Sequence, residues 1–239
     1  MTSPILITGA GQRIGLALAN HLLAQGHAII VTYRTRHQAI TALAQQGAVC
    51  LHADFSSDAA IKDFIVQLYQ HTNSLRAIIH NASSWDCEAN NPDSAALFDD
   101  MMRIHAKTPY LINLAASELL LNYQKQQQQP ADIIHLTDYI VEQGSPKHLA
   151  YAASKAALDN LTKSFAAKYA PHIKVNAIAP SLIIFNEHDS DEYRAKTLKK
   201  SLMGIEPGCR EIINSVDLLL NSHYITGRSM PVDGGRHLK

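Results

Sequence analysis

The chain has 239 residues, of which 46% are hydrophobic, and its 21 basic side chains balance 21 acidic ones. That balance gives no electrostatic case for a nucleic-acid or lipid-surface partner, and no apolar run approaches the ~20 residues that span a bilayer. Cys50, Cys87 and Cys209 are odd in number and scattered, so they read as free thiols in a reducing cytoplasm; the 13 histidines show no metal-ligand spacing, so no metal is expected.

Short apolar runs alternate with longer amphipathic ones. Met1–Leu6 leads straight into a strand, with no signal peptide expected. Strands are predicted near 4–8, 27–33, 48–53, 76–81, 132–138, 172–178 and 228–232, and helices near 13–25, 36–46, 57–72, 94–122, 150–169 and 208–221. Val- and Ile-rich strands separated by helices predict βαβ units: an α/β, doubly wound Rossmann-type fold around a parallel sheet. No linker composition divides the chain, so residues 1–239 read as one domain. Gln126–Gln129 reads as a solvated helix end or loop. The stretch 182–207 has no clear periodicity and is a candidate flap over a site.

The first strand is followed by Gly9-Ala10-Gly11-Gln12-Arg13-Ile14-Gly15 and then a helix-like run. Glycines there let the backbone approach a pyrophosphate, and the helix N-terminus offers free N–H groups. Taken alone, the pattern also suits any tight strand-to-helix turn. The second strand ends Tyr33-Arg34-Thr35-Arg36. An acid at this place would meet a bare ribose hydroxyl; two arginines and a threonine instead suit a 2′-phosphate, which makes NADPH the expected cofactor.

Tyr151 and Lys155 are four apart in a helical run and share a face. A tyrosine with pKa about 10 is a poor acid–base group, and a neighbouring ammonium is expected to lower it. The spacing by itself also suits an exposed helix face. Asp138 falls at the end of the fifth predicted strand, where parallel sheets form their ligand crevice.

The turn T-G-A-G-Q-R-I-G, N-A-S-S at Asn81–Ser84, Y-A-A-S-K at 151–155, V-N-A-I-A-P at 175–180 and I-T-G-R-S-M-P-V-D-G-G at 225–235 occur in this order. Together they resemble the short-chain dehydrogenase/reductases over nearly the whole chain. Three departures narrow the resemblance: Arg13 stands for a usual glycine, Ser83 for the glycine of Asn-Ala-Gly, and Asp138 for the usual catalytic serine. Pteridine reductases share all three, and Trp85 falls where they place an aromatic that stacks on the pterin.

The resemblance implies a seven-stranded sheet, a homotetramer, NADPH as cofactor and a small-molecule pterin as substrate. Carried over, Gly9, Gln12, Arg13 and Ile14 line the pyrophosphate, Arg34 and Thr35 take the 2′-phosphate, Asp54 holds the adenine, Asn81 and Ala82 contact the adenine-side ribose and support the sheet, and Pro180 joins the cofactor site. Tyr151, Lys155 and Asp138 are the catalytic set, and Tyr151 and Lys155 also touch cofactor, Lys155 at the nicotinamide ribose. Arg13, Ser83, Trp85, Asp138 and Tyr151 hold the pterin. A hydride would pass to C6 of a 7,8-dihydropterin and a proton to N5, from Tyr151 or from a water held by Tyr151 and Asp138. The family's proton-relay asparagine is here His105, which suits either a relay or a buried structural role. Two alternatives stay open: a general carbonyl or 3-oxoacyl thioester reductase, which would want serine at 138 and glycine at 13, and a non-catalytic NADPH-sensing protein, which need not keep Tyr151 and Lys155.

Overall fold

The computed structural model describes residues 3–239, so Met1 and Thr2, the start of the expected lead into the first strand, lie outside the described residues. The strands are β1 (Ile5–Ile7), β2 (Ile29–Tyr33), β3 (Val49–His52), β4 (Ala77–His80), β5 (Ala131–Leu136), β6 (Ile173–Pro180) and β7 (Ser229–Val232). They form one sheet in the order β3-β2-β1-β4-β5-β6-β7, with every pair parallel. The chain runs outward from β1 to β3 and then returns to place β4 on the other side of β1. That reversal opens a crevice at the carboxyl ends of β1 and β4, where ligands bind in sheets of this kind.

The helices are α1 (Arg13–Ala24), α2 (Gln38–Gln45), α3 (Asp58–His71), α4 (Ser94–Met102), α5 (Thr108–Gln127), α6 (Ile140–Gln143), α7 (Leu149–Tyr169), α8 (Asp191–Leu198) and α9 (Arg210–Asn221). Alternating strand residues feed two buried layers. Ile5, Ile7, Val31, Ile79 and Ile134 pack with Leu18 and Leu22 of α1, Leu43 of α2 and Val216 of α9. Leu6, Ile30, Ile78, Ile133 and Val175 pack on the opposite face with Phe64 of α3, Ile112 and Leu119 of α5 and Phe165 of α7. Each such side chain stabilises the fold by about 1.5–3 kcal/mol on burial, so both faces of the sheet are held by comparable cores.

The run predicted as one helix over 94–122 is α4 and α5 joined by a π turn, Arg103–Lys107. An inserted residue leaves the apolar pattern almost intact while shifting the backbone, which is why periodicity does not register it. The stretch 182–207 contains α8, capped by the Ser190 hydroxyl accepting from the Tyr193 amide at 3.2 Å. Arg194 donates to the Asn186 and Asp189 carbonyls at 2.7 and 3.0 Å, and the Phe185 amide donates to Glu206 at 2.7 Å. At the amino ends of the strands, buried Asp132 is flanked by Arg76 at 2.5 Å and Lys174 at 2.8 Å, the pairing that a buried carboxylate needs.

Candidate functional site

The turn between β1 and α1 packs closely against the residues that follow β4. Gly9 has φ +68°, and a Cβ on it would sit 2.7 Å from the Ala82 Cα. At Gly15 a Cβ would lie 2.5 Å from both the Asn81 Nδ2 and the Gly9 carbonyl, so only glycine lets α1 close on the β4 end. The Asn81 side chain donates to the Thr8 and Gly9 carbonyls at 3.0 and 2.8 Å, and the Thr8 hydroxyl accepts from the Asn81 and Ala82 amides, both at 3.0 Å. Asn81 and Ala82 therefore brace the turn. The start of α1 has no side-chain cap and no acid in its first turn. Its N–H groups and dipole face the crevice uncompensated, the arrangement that suits a pyrophosphate.

Arg34 and Thr35 follow β2 on the exposed rim of the same turn. A Cβ on Gly11 would lie 3.9 Å from the Thr35 carbonyl, which sets this loop against the phosphate turn. Asp54 follows β3 one strand further out, and Pro180 ends β6. Gln12 is exposed, and Ile14 packs partly against the sheet core. Arg13 adopts φ +52°, a left-handed conformation unusual for a side chain-bearing residue. Its guanidinium donates to Asn186 Oδ1 at 2.6 Å and the Ile184 carbonyl at 2.9 Å, so in this structure it clasps the segment after β6 to the turn.

Across the crevice, α7 carries Tyr151 and Lys155 on one face. The Tyr151 hydroxyl donates to Asp138 Oδ2 at 2.8 Å, while Asp138 Oδ1 accepts from the Ile140 amide at 3.0 Å. The Lys155 Nζ donates to the Leu136 carbonyl at 2.8 Å and lies 5.7 Å from the centre of the Tyr151 ring. Burial pulls Lys155 down to about 8, partly countered by Asp138. Burial and then the Asp138 carboxylate hold Tyr151 well above its ordinary value. The expectation that Lys155 lowers the tyrosine pKa thus gives way here: the ammonium sits beside the ring, whereas the carboxylate touches the hydroxyl. Asp138 is itself raised by burial, opposed by the Ile140 amide, Tyr151 and Lys155. The set is a protonated phenol aimed at a carboxylate, with a buried cation behind.

Trp85 stands on the loop after β4 and is 63% exposed. Its ring lies 4.6 Å from that of His148, tilted by 43°, and His148 Nδ1 donates to the Asp86 carbonyl at 3.3 Å. The Ala150 amide, in the first turn of α7, donates to Glu88 Oε1 at 2.9 Å. Neither His148 nor Glu88 stood out in the sequence. Both lie on irregular segments, and the one available signal was the absence of a capping residue immediately before Leu149.

His105 is 1% exposed on the π turn. The Ser84 amide donates to its Nε2 at 3.3 Å, and the Ser83 hydroxyl lies 2.8 Å from the same atom. An amide can only donate, so Nε2 is the acceptor and Nδ1 carries the proton. Nδ1 donates to the Ser154 Oγ at 2.8 Å, and that hydroxyl donates to the Tyr151 carbonyl at 2.7 Å. Burial, then the Lys155 charge, hold the ring neutral with a pKa of about 2. Below the site, His80 Nε2 donates to Asn113 at 2.8 Å, Asn113 to His135 at 3.1 Å, and His135 Nδ1 to Thr162 at 2.8 Å. Among the described residues no group of three or more His, Cys, Asp or Glu is placed to hold a metal ion, and no helix is long and apolar enough to cross a membrane.

A family model described as enoyl-(acyl carrier protein) reductase matches residues 9–237. The chain is 56% identical over 236 residues to a dihydromonapterin reductase of Citrobacter koseri and 55% to one of Escherichia coli, in each case over 99% of this chain and 97% of the relative. A solved structure of FolM alternative dihydrofolate reductase 1 from Brucella canis, complexed with NADP, is 26% identical with a TM-score of 0.87, covering 99% of this chain and 94% of that one. The Pseudomonas aeruginosa RhlG/NADP complex, at 23% identity and a TM-score of 0.88 over 99% of this chain and 97% of that one, shares the fold.

Proposed function

The chain belongs to the short-chain dehydrogenase/reductase family, and we propose that it is an NADPH-dependent dihydromonapterin reductase. The observation that carries this reading is the Tyr151–Asp138 hydrogen bond of 2.8 Å at the carboxyl end of β5, in a chain matching dihydromonapterin reductases at 55–56% identity from end to end.

The uncapped start of α1 and the Gly9–Gly15 turn fit a dinucleotide pyrophosphate, and Arg34 and Thr35 fit its 2′-phosphate. When bound, the reduced nicotinamide supplies a hydride, which a 7,8-dihydropterin accepts at C6. The protein's own work is alignment and proton delivery to N5. Tyr151 keeps its proton because burial and Asp138 disfavour the phenolate. It holds a proton at the crevice and is the donor proposed here, directly or through a water that it shares with Asp138. Lys155, fixed on the Leu136 carbonyl, holds positive charge behind the ring and would hold the nicotinamide ribose when the cofactor is bound. Trp85, packed beside His148, would present one face to the pterin plane, while Ser83 and Arg13 would serve its polar edge. Gln12, Ile14, Asp54, Asn81, Ala82 and Pro180 complete the cofactor side. The same reading carries a homotetramer in the cytoplasm; Tyr110 and Leu114, exposed on α5, offer apolar area to a second copy.

The test is NADPH oxidation against 7,8-dihydromonapterin, dihydrofolate and an acetoacetyl thioester. Fast turnover of the dihydropterin is expected; turnover of the thioester alone would transfer the site to carbonyl reduction.

A further inference from the structure

The loop that carries Trp85 has no regular secondary structure between β4 and a short turn at Glu88–Asn90, yet it is tied to α7 along its length. His105 accepts from Ser84 and is in contact with the Ser83 hydroxyl on one side, and donates to Ser154 on the other. His148 holds Asp86, and Glu88 receives the Ala150 amide. Of these ties the one at His105 is the most enclosed.

We propose that His105 is a positioning residue, which fastens the Ser83–Trp85 segment to the helix carrying Tyr151 and so sets the spacing between the stacking aromatic and the proton donor. The proposal rests on the reading of this crevice as a dihydropterin site. A relay needs a nitrogen that can exchange its role, and here each ring nitrogen is committed. The Ser84 amide makes Nε2 an acceptor, and Ser154, whose own hydrogen goes to the Tyr151 carbonyl, takes the Nδ1 proton. The ring meets Tyr151 edge-on, with centroids 5.3 Å apart at 90°. That contact orients the phenol without reaching its hydroxyl, which is given to Asp138.

The test compares His105→Gln, His105→Leu and Ser154→Ala. A glutamine places an acceptor where Nε2 stands, so His105→Gln should keep the dihydropterin KM within about twofold of the parent. His105→Leu strands the Ser84 amide and should raise that KM by about five- to tenfold, with NADPH affinity and the pH profile of kcat unchanged. Ser154→Ala frees the far side of the ring and should raise the KM in the same direction. Should His105→Leu fail to fold, the other two variants carry the comparison. A fall in kcat with unchanged KM, or a glutamine variant as impaired as leucine, would overturn the proposal. Two readouts need no turnover: hydrogen exchange at the Ser84 amide, and the emission of Trp85, the one tryptophan in the chain. In the leucine variant the amide should lose protection and the emission should shift to the red; if both stay as in the parent, the clamp is refuted even where the parent reduces dihydropterin. A parent with no dihydropterin activity but with these shifts in the leucine variant would instead remove the substrate reading and leave the clamp standing.

Discussion

The Tyr151 hydroxyl donates its hydrogen to Asp138 Oδ2 at 2.8 Å. A serine at position 138 could share the hydrogen bond without charge; a carboxylate there opposes ionisation of the phenol. The phenol therefore stays protonated, with the Lys155 ammonium behind its ring.

Tyr151→Phe keeps the ring and its edge contact with His105 while removing the proton. Its kcat should fall roughly 10²-fold or more, with NADPH affinity unchanged, as read by a binding titration beside steady-state rates. Lys155→Ala should lower both affinity and rate. A normal kcat in Tyr151→Phe would move proton delivery to Asp138 and water.

On the function proposed above, the cofactor preference rests with Arg34 and Thr35. A charge-assisted phosphate contact is worth about 1.5–3 kcal/mol, so Arg34→Ala should weaken NADPH about ten- to hundredfold while leaving NADH nearly untouched. Equal Michaelis constants for the two cofactors in the parent protein would contradict the assignment.

The sheet and most helices were legible because each strand is a short apolar run and each long helix has one buried stripe; the predicted strand 132–138 is β5 at Ala131–Leu136. Tyr151, Lys155 and Asp138 were legible because helical spacing and a strand end place them without knowledge of tertiary contacts. What escaped was irregular. The π turn around His105 and the short helix α6 leave almost no trace in a periodic pattern, and α8 has a mostly exposed surface with a single buried residue, Thr197. Arg13 was expected at pyrophosphate and substrate; its grip on Ile184 and Asn186 depends on a segment 171 residues or more away. The partners of Trp85 and the tautomer of His105 are likewise products of folding.

Trp85 should report on substrate directly. Adding a pterin to the NADP-bound protein should quench its emission saturably, after inner-filter correction. Trp85→Ala should raise the pterin KM at least several-fold and spare NADPH affinity, and Trp85→Phe should retain much of the activity, since stacking adds about 0.5–1.5 kcal/mol beyond burial. Unquenched emission in a protein that turns over pterin would take Trp85 out of the site.

Three buried histidines tie stability to pH. Burial lowers His80 to about 4, His105 to about 2 and His135 well below 6.5. Unfolding lets each recover its ordinary value near 6.5, so the unfolded chain binds more protons below that point and stability falls with pH. Each histidine contributes a slope of up to about 1.4 kcal/mol per pH unit. Asp132 and Asp138, raised by burial, bind protons earlier in the fold and offset part of this at the acid end. The urea midpoint should therefore drop clearly between pH 7.5 and 5.5; equal midpoints would mean that the histidines are not held neutral.

The most direct measurement of hydride transfer to a dihydropterin is isotopic. NADPH carrying deuterium at the transferred C4 position is given to the protein with 7,8-dihydromonapterin, and the product is read by mass spectrometry and proton NMR. One deuterium is expected per tetrahydropterin, located at C6, with none at N5 after exchange into ordinary water. Deuterium found only on the carbonyl carbon of an acetoacetyl thioester supplied in parallel, with the dihydropterin unlabelled and unreduced, would contradict it.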